Sequence, residues 1–178
     1  MDCKQALEEA EGDLEKAITI LRQRGIAQAS KKTQRATREG LIFSYIHPGD
    51  RLGVLLELNC ETDFVARTDD FRQLAKDLSM QIAATNPLAI SRSDLSPELV
   101  EKEQDIYRTQ ATNEGKPEKI LDRIVSGKLE KYYQEAVLLE QPFIKDQERT
   151  VQDIITVAVA KLGENIVIRR FVRFRVGE

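Results

Sequence analysis

The 178-residue sequence predicts an α+β fold, in which helices pack on a small antiparallel sheet. The first observation is a hairpin pattern, with two apolar segments, Leu41–His47 and Arg51–Leu58, on either side of Pro48-Gly49. The second is a β-branched and aromatic segment at the end of the chain, ENIVIRRFVRFRVGE. The third is a series of amphipathic segments with three- and four-residue apolar spacing between these two. A last strand that pairs with a first hairpin predicts one small sheet with helices on one face.

Composition and charge restrict the classes of protein to consider. Hydrophobic residues make up 41% of the chain and charged residues 32%, which is typical of a domain with a buried core. The formal net charge of −3 gives no overall attraction to nucleic acid or anionic membranes. No apolar run approaches the roughly 20 residues that cross a bilayer. The N-terminal stretch MDCKQALEEAEGD is acidic and has no apolar signal core. We therefore expect a protein of the cytosol, or of an organelle that makes its own proteins.

The N-terminal part, residues 2–26, predicts two short helices. Apolar residues recur there at helical spacing in two runs, and Asp13 is a typical N-cap for the second. We expect Gly12 to end the first helix and Gly25 to end the second. The stretch that follows, Ala27–Gly40, is polar and shows no periodicity. Because six basic residues and no acidic one lie between positions 22 and 38, this stretch predicts a linker with a basic face.

The central part of the chain predicts several helices. Residues 69–85 are amphipathic, and Asn86-Pro87 ends them. Ser96-Pro97 begins a charged helix, because proline fits the first helical turn. Lys116-Pro117 begins two further helical stretches, with a break expected near Gly127. A strongly apolar helix, VQDIITVAVAKLG, then ends at Gly163.

The terminal strand predicts two different faces. Strict alternation places Ile166, Ile168, Val172 and Phe174 on one face, interrupted by Arg170. The other face mixes apolar residues with arginines. The arginines of this strand are all expected to face solvent, with their aliphatic stems covering apolar neighbours.

Enzyme chemistry is not expected from this sequence. It contains no phosphate-binding loop, dinucleotide fingerprint, paired-carboxylate constellation or serine nucleophile elbow. A zinc site needs about four ligands, and His47 is the single histidine. A cysteine hydrolase that uses Cys60 with His47 is one alternative, although no third orienting group is evident. A second alternative is a non-catalytic RNA- or protein-binding module that uses residues 22–38 and the terminal strand, but the basic run carries no interleaved aromatics for base stacking.

The polar stretch NCETDFVART, Asn59–Thr68, is the most informative segment. It follows a buried strand, yet it carries an aromatic residue, Phe64, between acidic and basic neighbours. The ring can tuck under the turn and anchor the next helix, or it can be an exposed interface anchor that Asp63 and Arg67 orient through hydrogen bonds. Spacing alone does not choose between these two interpretations.

Several segments together resemble the elongation factor Ts family, whose members exchange guanine nucleotide on elongation factor Tu. NCETDFVAR is similar to the family signature, and MDCKQALEEAEGDLEKAITILRQRG is similar to its N-terminal module. SYIHPGDRLGVLLEL resembles the core hairpin, and QPFIKD with VAVAKLGENIVIRRFVRFRVGE resembles the C-terminal part. The similarity extends over essentially the whole chain.

The resemblance implies an exchange factor that binds GDP-loaded elongation factor Tu, dislodges Mg²⁺ and promotes GDP release during translation elongation. It needs no cofactor, contacts no nucleic acid or membrane directly, and acts in the bacterial cytoplasm or a plastid stroma. Phe64 is implied as the wedge that enters the partner, and Asp63 as the residue that holds its turn in shape. The implied Mg²⁺-dislocating element is Thr62, Asp63, Phe64 and Val65, and the other implied partner contacts are Lys4, His47, Leu162 and Gly163.

The resemblance also implies a domain organisation. Residues 1–27 correspond to a ubiquitin-associated-like module that lacks the first of its three helices, residues 28–40 to a basic linker, and residues 41–178 to the core and dimerisation domain. The sequence carries one copy of the core sheet, as in the family's short forms. We therefore expect a symmetric homodimer through the core, with two Tu molecules bound per dimer.

Overall fold

The computed structural model describes residues 2–178, except for the side chains of Asp2 and Arg22. The helices are α1 Asp2–Glu9, α2 Leu14–Ser30, α3 Asp63–Ala66, α4 Asp69–Thr85, α5 Pro97–Asn113, α6 Glu118–Ala136 and α7 Val151–Leu162. The strands are β1 Glu39–Ile46, β2 Leu52–Cys60, β3 Pro142–Phe143, β4 Asp146–Thr150 and β5 Val167–Arg175. Short 3-10 turns lie at Arg92–Asp94 and Leu138–Glu140. The predicted α+β class is confirmed.

The chain divides into two compact units. The first comprises Met1–Met80 and Gln152–Glu178, and the second comprises Gln81–Val151. The first unit contains the three-stranded sheet, and the second contains the paired helices α5 and α6 with the short strands β3 and β4. The implied division at residues 27 and 40 stays a prediction.

The principal sheet has the order β1-β2-β5, with both pairs antiparallel. β1 pairs with β2 from Glu39 opposite Cys60 to Ile46 opposite Gly53, as the hairpin pattern predicts. Alternate side chains of β2 are buried, and these are Val54, Leu56, Leu58 and Cys60. Buried apolar residues of α4 and α7 complete the core of this unit, among them Phe71, Leu74, Leu78, Ile155 and Val159. One face of the sheet is therefore buried, while the other is open.

A β-bulge in the last strand changes the faces that strict alternation predicts. Glu57 pairs with Arg170, but the next residue of β2, Leu58, pairs with Ile168, which leaves Arg169 as an extra residue. A bulge of this kind moves the following side chains to the opposite face. Ile168 is consequently buried, whereas Phe174 is 65% exposed. The prediction that Ile168, Val172 and Phe174 share one face is therefore wrong.

The arginines of β5 likewise differ from the single solvent-facing set that was expected. The side chain of Arg170 is mostly exposed and its Nε donates to Glu57 Oε2 over 2.6 Å. The side chain of Arg173 is only 10% exposed, and its Nη1 lies 2.9 Å from Glu178 Oε2. The expectation is correct for Arg170 and wrong for Arg173, because the bulge turns Arg173 toward the covered side of the sheet.

Two glycines that were expected to end or break helices lie inside them. α2 continues through Gly25 to Ser30, and α6 continues through Gly127 to Ala136. A Cβ atom at Gly25 would lie 3.2 Å from Cβ of Ala160, so glycine permits α2 and α7 to approach closely. At Gly127 nothing lies within 4 Å of such a Cβ atom. The two predictions are wrong, and the first part of the expected linker is helical.

The second unit has its own polar contacts, both buried and exposed. Nε2 of Gln81 donates to Gln141 Oε1 over 3.0 Å, and both side chains are buried. Arg92 forms ion pairs with Glu130 and Glu140, and its guanidinium lies 4.2 Å from the centre of the Tyr133 ring. These contacts join the 3-10 turn at Arg92 to the end of α6 and the turn after it.

Across the described residues, no helix is both long and apolar enough to span a membrane.

Candidate functional site

The turn between β2 and α4 is built by hydrogen bonds at both of its ends. At its start, Thr62 is the N-cap of the one-turn helix α3, and its Oγ1 accepts from Val65 N at 3.5 Å. At its end, Oγ1 of Thr68 donates to Val65 O over 2.8 Å and accepts from Phe71 N at 3.3 Å. Threonine suits both positions, because its hydroxyl can satisfy backbone groups that a helix end leaves unpaired.

Phe64 occupies the exposed side of this turn. Its residue surface is 78% exposed, whereas Ala66, two positions later, is buried. The anchor of the following helix is Phe71, which is completely buried. The interpretation in which Phe64 tucks under the turn is therefore wrong, and the ring faces outward. An apolar ring held in water at the tip of a short turn is a typical anchor for a protein partner.

Asp63 and Arg67 form the flank of the turn. Nη2 of Arg67 donates to Asp63 Oδ2 over 2.7 Å, across one turn of helix. The pair is largely exposed, so we expect it to stabilise α3 by only about 0.3–0.5 kcal/mol. It joins Asp63, directly before Phe64, to Arg67, three positions after it, in agreement with the expected orienting hydrogen bonds.

A loop from a distant part of the sequence lies at the base of the turn. Glu164 Oε2 accepts from Glu61 N at 3.1 Å and Thr62 N at 2.9 Å, while its Oε1 accepts from Thr62 Oγ1 at 2.6 Å. In return, Asn165 N donates to Glu61 Oε1 over 2.7 Å. Sequence reasoning missed Glu164 and Asn165, because they are separated from the turn by about a hundred residues and a GEN tripeptide after a helix is not distinctive by itself.

Cys60 lies buried under the same turn. Its Sγ donates to Thr62 O at 3.1 Å. Burial, followed by the nearby negative charge of Glu164, raises the pKa of the Cys60 thiol to about 11. A thiol with this pKa is a poor nucleophile at neutral pH.

His47 is at the opposite end of the hairpin from Cys60. Its backbone N donates to Leu52 O, and Leu52 and Cys60 are the two ends of β2. At about 3.3 Å per residue, β2 separates the two side chains by roughly 26 Å. The cysteine-hydrolase hypothesis is therefore not supported by the geometry.

The remaining predicted contact residues lie at three places. Lys4 is exposed on α1 and lies 3.7 Å from Glu8. His47 is exposed at the hairpin turn, where its Nδ1 lies 3.0 Å from the hydroxyl of Tyr45. Leu162 is half-buried at the end of α7, and Gly163 follows it with a positive φ of 80°. Since Gly163 directly precedes Glu164, the structure brings Leu162 and Gly163 to the Thr62–Val65 turn but does not bring His47 there.

Several basic residues that the RNA-binding alternative would use are paired with carboxylates. Arg35 Nη1 lies 3.5 Å from Glu61 Oε1, and Arg170 is bound to Glu57. Arg24 is paired with Glu9, and Arg175 lies 3.4 Å from Glu178. These pairs reduce the positive charge available for phosphates. The alternative therefore gains no support from the basic run or the terminal strand.

Comparison with known proteins identifies the family. The family model described as "Elongation factor TS" matches residues 15–178. The chain belongs to the elongation factor Ts family. It is 59% identical over all 178 residues to elongation factor Ts of Moorella thermoacetica, of which it covers 88%. It is also 60% identical to elongation factor Ts of Caldanaerobacter subterraneus subsp. tengcongensis and 59% identical to that of Thermoanaerobacter sp. strain X514, of which it covers 89% and 87%. The resemblance inferred from the sequence is confirmed.

Proposed function

We propose that this elongation factor Ts chain is a guanine-nucleotide exchange factor for elongation factor Tu, acting in the bacterial cytoplasm. In this proposal it binds GDP-loaded Tu, dislodges the bound Mg²⁺ and accelerates GDP release during translation elongation. The observation that carries the proposal is the 78% exposure of Phe64 on a turn whose two ends are fixed. An aromatic ring that its own chain leaves mostly exposed is available to pack inside another protein.

The proposed mechanism depends on where the ring goes. GDP is held through its phosphates and through Mg²⁺, whose positive charge offsets the phosphate charge. A benzyl group cannot coordinate a cation, but it can displace the partner's side chains and backbone that do. Phe64 is the proposed wedge, Asp63 and Thr62 hold its turn, and Val65 completes the element. The other proposed partner contacts are Lys4, His47, Leu162 and Gly163.

The proposed acceleration follows from thermodynamic linkage. A factor that binds nucleotide-free Tu more tightly than GDP-bound Tu must weaken GDP binding by the same ratio. A thousand-fold weakening corresponds to about 4 kcal/mol, which is within the range of a few buried interface anchors. No covalent bond forms or breaks, so the proposed activity is catalysed release and not enzyme chemistry. It requires no cofactor and no direct contact with nucleic acid.

The test is release of a fluorescent GDP analogue from Tu. We expect the wild-type chain to accelerate release, and Phe64→Ala to lose most of that acceleration while keeping its melting temperature. Leu88→Ala is the matched control, because it also truncates an exposed apolar side chain but lies in the other unit. Removal of Mg²⁺ with a chelator is expected to reduce the difference in the rate of GDP release between wild type and Phe64→Ala. If Phe64→Ala were as active as wild type, Phe64 would have no part in exchange.

We also propose that the chain forms a homodimer through the open face of its sheet, with one Tu bound to each subunit. Two cross-strand rows on that face are mostly apolar. Ile46 and Phe174 flank Gly53, and Leu55 lies between Ser44 and Val172. The exposed apolar side chains of this face are Ile42, Ile46, Leu55, Val172 and Phe174. A largely apolar exposed surface of this kind is typical of a protein–protein interface, and a twofold axis allows one face to pair with its own copy.

A further inference from the structure

We propose that Glu164 is a positioning residue for exchange, because it fixes the turn from which Phe64 projects. This inference rests on the proposed function and adds to it a residue that acts through the position of Phe64. α3 is a single helical turn, and an isolated helix of that length is not stable in water. Phe64 itself is exposed and does not anchor the turn. The position of α3, and with it that of the ring, therefore also depends on the residues beneath the helix.

The hydroxyl of Thr62 shows how Glu164 acts. Glu164 Oε1 lies 2.6 Å from Thr62 Oγ1. An ionised carboxylate only accepts hydrogen bonds, so the Thr62 hydroxyl must donate its proton to Glu164. Its lone pairs are then directed away from Glu164 and are available to the N–H of Val65, which caps α3. Glu164 thus sets the direction of the hydroxyl that begins the helix carrying Phe64.

The backbone contacts of Glu164 restrain the same turn. Its second oxygen, Oε2, accepts from both Glu61 N and Thr62 N. The carboxylate of Glu61 accepts from Asn165 N, so each of the two loops supplies a carboxylate to the backbone of the other. Hydrogen bonds to a charged acceptor are stronger than those between neutral groups. The first residues of the turn, Glu61 and Thr62, are therefore fixed by reciprocal hydrogen bonds with the loop at Glu164 and Asn165.

The surroundings stabilise this pair of carboxylates. Arg35 Nη1 lies 3.5 Å from Glu61 Oε1 and offsets one of the negative charges. The buried side chain of Asn165 donates from Nδ2 to Thr33 O at 3.2 Å and to Arg35 O at 2.8 Å. The segment after α2 is thereby joined to the base of the turn. The network therefore connects three chain segments, which are residues 33–35, 61–62 and 164–165.

The test compares three substitutions in the fluorescent GDP release assay. Glu164→Gln keeps the side-chain shape but replaces one carboxylate oxygen with an NH2 group. This group is a hydrogen-bond donor and cannot accept from Glu61 N, Thr62 N or Thr62 Oγ1. Thr62→Val replaces the hydroxyl with a methyl group of similar size, and is used if Glu164→Gln lowers stability. Glu101→Gln is the control, because Glu101 is an exposed acid on α5 of the other unit. We expect Glu164→Gln and Thr62→Val to slow release by about 10–100-fold, as expected when a group that must be oriented is misplaced by about 1 Å, and Glu101→Gln to leave it unchanged.

A double-mutant cycle separates positioning from general loss of structure. If Glu164 acts through Phe64, then Glu164→Gln has no further effect on release when added to Phe64→Ala. The proposal would be overturned if Glu164→Gln slowed release by the same factor in the wild-type and Phe64→Ala proteins. It would also be overturned if Glu164→Gln accelerated release as much as the wild-type chain. If the wild-type chain fails to accelerate release, the proposed function fails instead. Amide hydrogen exchange then still tests the network, since Glu164→Gln is expected to increase exchange at Glu61, Thr62 and Val65, and unchanged exchange at these amides would overturn it.

Discussion

Phe64 and Phe71 are seven residues apart on either side of Thr68, yet Phe64 is 78% exposed and Phe71 is completely buried. The chain therefore uses Phe71 to attach α4 to the core and leaves Phe64 without a structural task. Thr68 separates the two roles, because its hydroxyl closes the turn at Val65 and begins α4 at Phe71. The two phenylalanines consequently permit a direct comparison of stability and function.

The first prediction concerns the free energy of unfolding of two alanine variants. Phe71→Ala removes a fully buried ring and is expected to lower it by about 3–5 kcal/mol. Phe64→Ala is expected to change it by no more than about 0.5 kcal/mol, as is usual for an exposed site. Urea denaturation followed by circular dichroism measures both values. A loss above about 2 kcal/mol in Phe64→Ala would show that the ring is buried in solution.

Local patterns predict most of the principal sheet and the central helix correctly. The hairpin follows from apolar segments around Pro48-Gly49, and α4 follows from its helical spacing. These features depend on periods of two and 3.6 residues, which are visible in any short window of sequence. The exposure of Phe64 has no such signal, because both orientations are compatible with the same local sequence.

Long-range contacts account for what local patterns miss. Gly25 resembles a helix end, but its neighbour is Ala160 of a helix far along the chain. Glu164 is an ordinary acid after a glycine until the fold places it against Thr62. The β-bulge at Arg169 depends on pairing with β2 and reverses the faces of the rest of the strand. Each of these contacts is decided by packing between segments that are distant in sequence.

The second prediction concerns the ionisation of Cys60. In a Cys3→Ala background Cys60 is the single thiol, and the difference in absorbance near 240 nm between this protein and its Cys60→Ala variant isolates the thiolate. This difference is expected to titrate with a midpoint at about 11 in the folded protein. In urea the midpoint is expected near the ordinary value of 9.0. Because the pKa is raised in the folded state, the stability that this thiol contributes is complete below pH 9 and is lost as the pH rises toward 11.

A matched variant isolates this effect. Cys60→Ala in the same background is expected to show a shallower loss of stability between pH 9 and pH 11, because the two proteins differ only in this thiol. A folded-state midpoint near 9 would contradict the burial and the negative charge that raise the pKa of Cys60.

The third prediction compares two glycines that differ in their surroundings. Gly40 has a φ of +152°, and a Cβ atom there would lie 2.2 Å from Leu58 O. Gly40→Ala is expected to lower the free energy of unfolding by at least about 1–3 kcal/mol, from backbone strain alone. Gly127→Ala, inside α6 with open space around it, is expected to raise it by up to about 1 kcal/mol. Thermal or urea unfolding measures the two changes, and a neutral Gly40→Ala would contradict the close approach of β1 to β2.

The fourth prediction concerns the proposed homodimer. Leu55 is 44% exposed on β2, the central strand of the open sheet face, and Leu55→Lys places an ammonium group beside Val172 on that face. Removing that charge from water on association is costly, so we expect the dimer dissociation constant to rise by about 100-fold or more. Ile120→Lys is the control, because Ile120 is 41% exposed but belongs to α6 of the second unit.

Sedimentation equilibrium and light scattering measure the mass directly. The wild-type chain and Ile120→Lys are expected at twice the chain mass, and Leu55→Lys at the mass of one chain with an unchanged circular dichroism spectrum. Wild-type monomers would remove the homodimer from the proposal, and a dimeric Leu55→Lys would place the interface elsewhere. Release assays on the monomeric variant would then show whether each subunit exchanges nucleotide by itself, because Phe64 and Glu164 belong to the same chain.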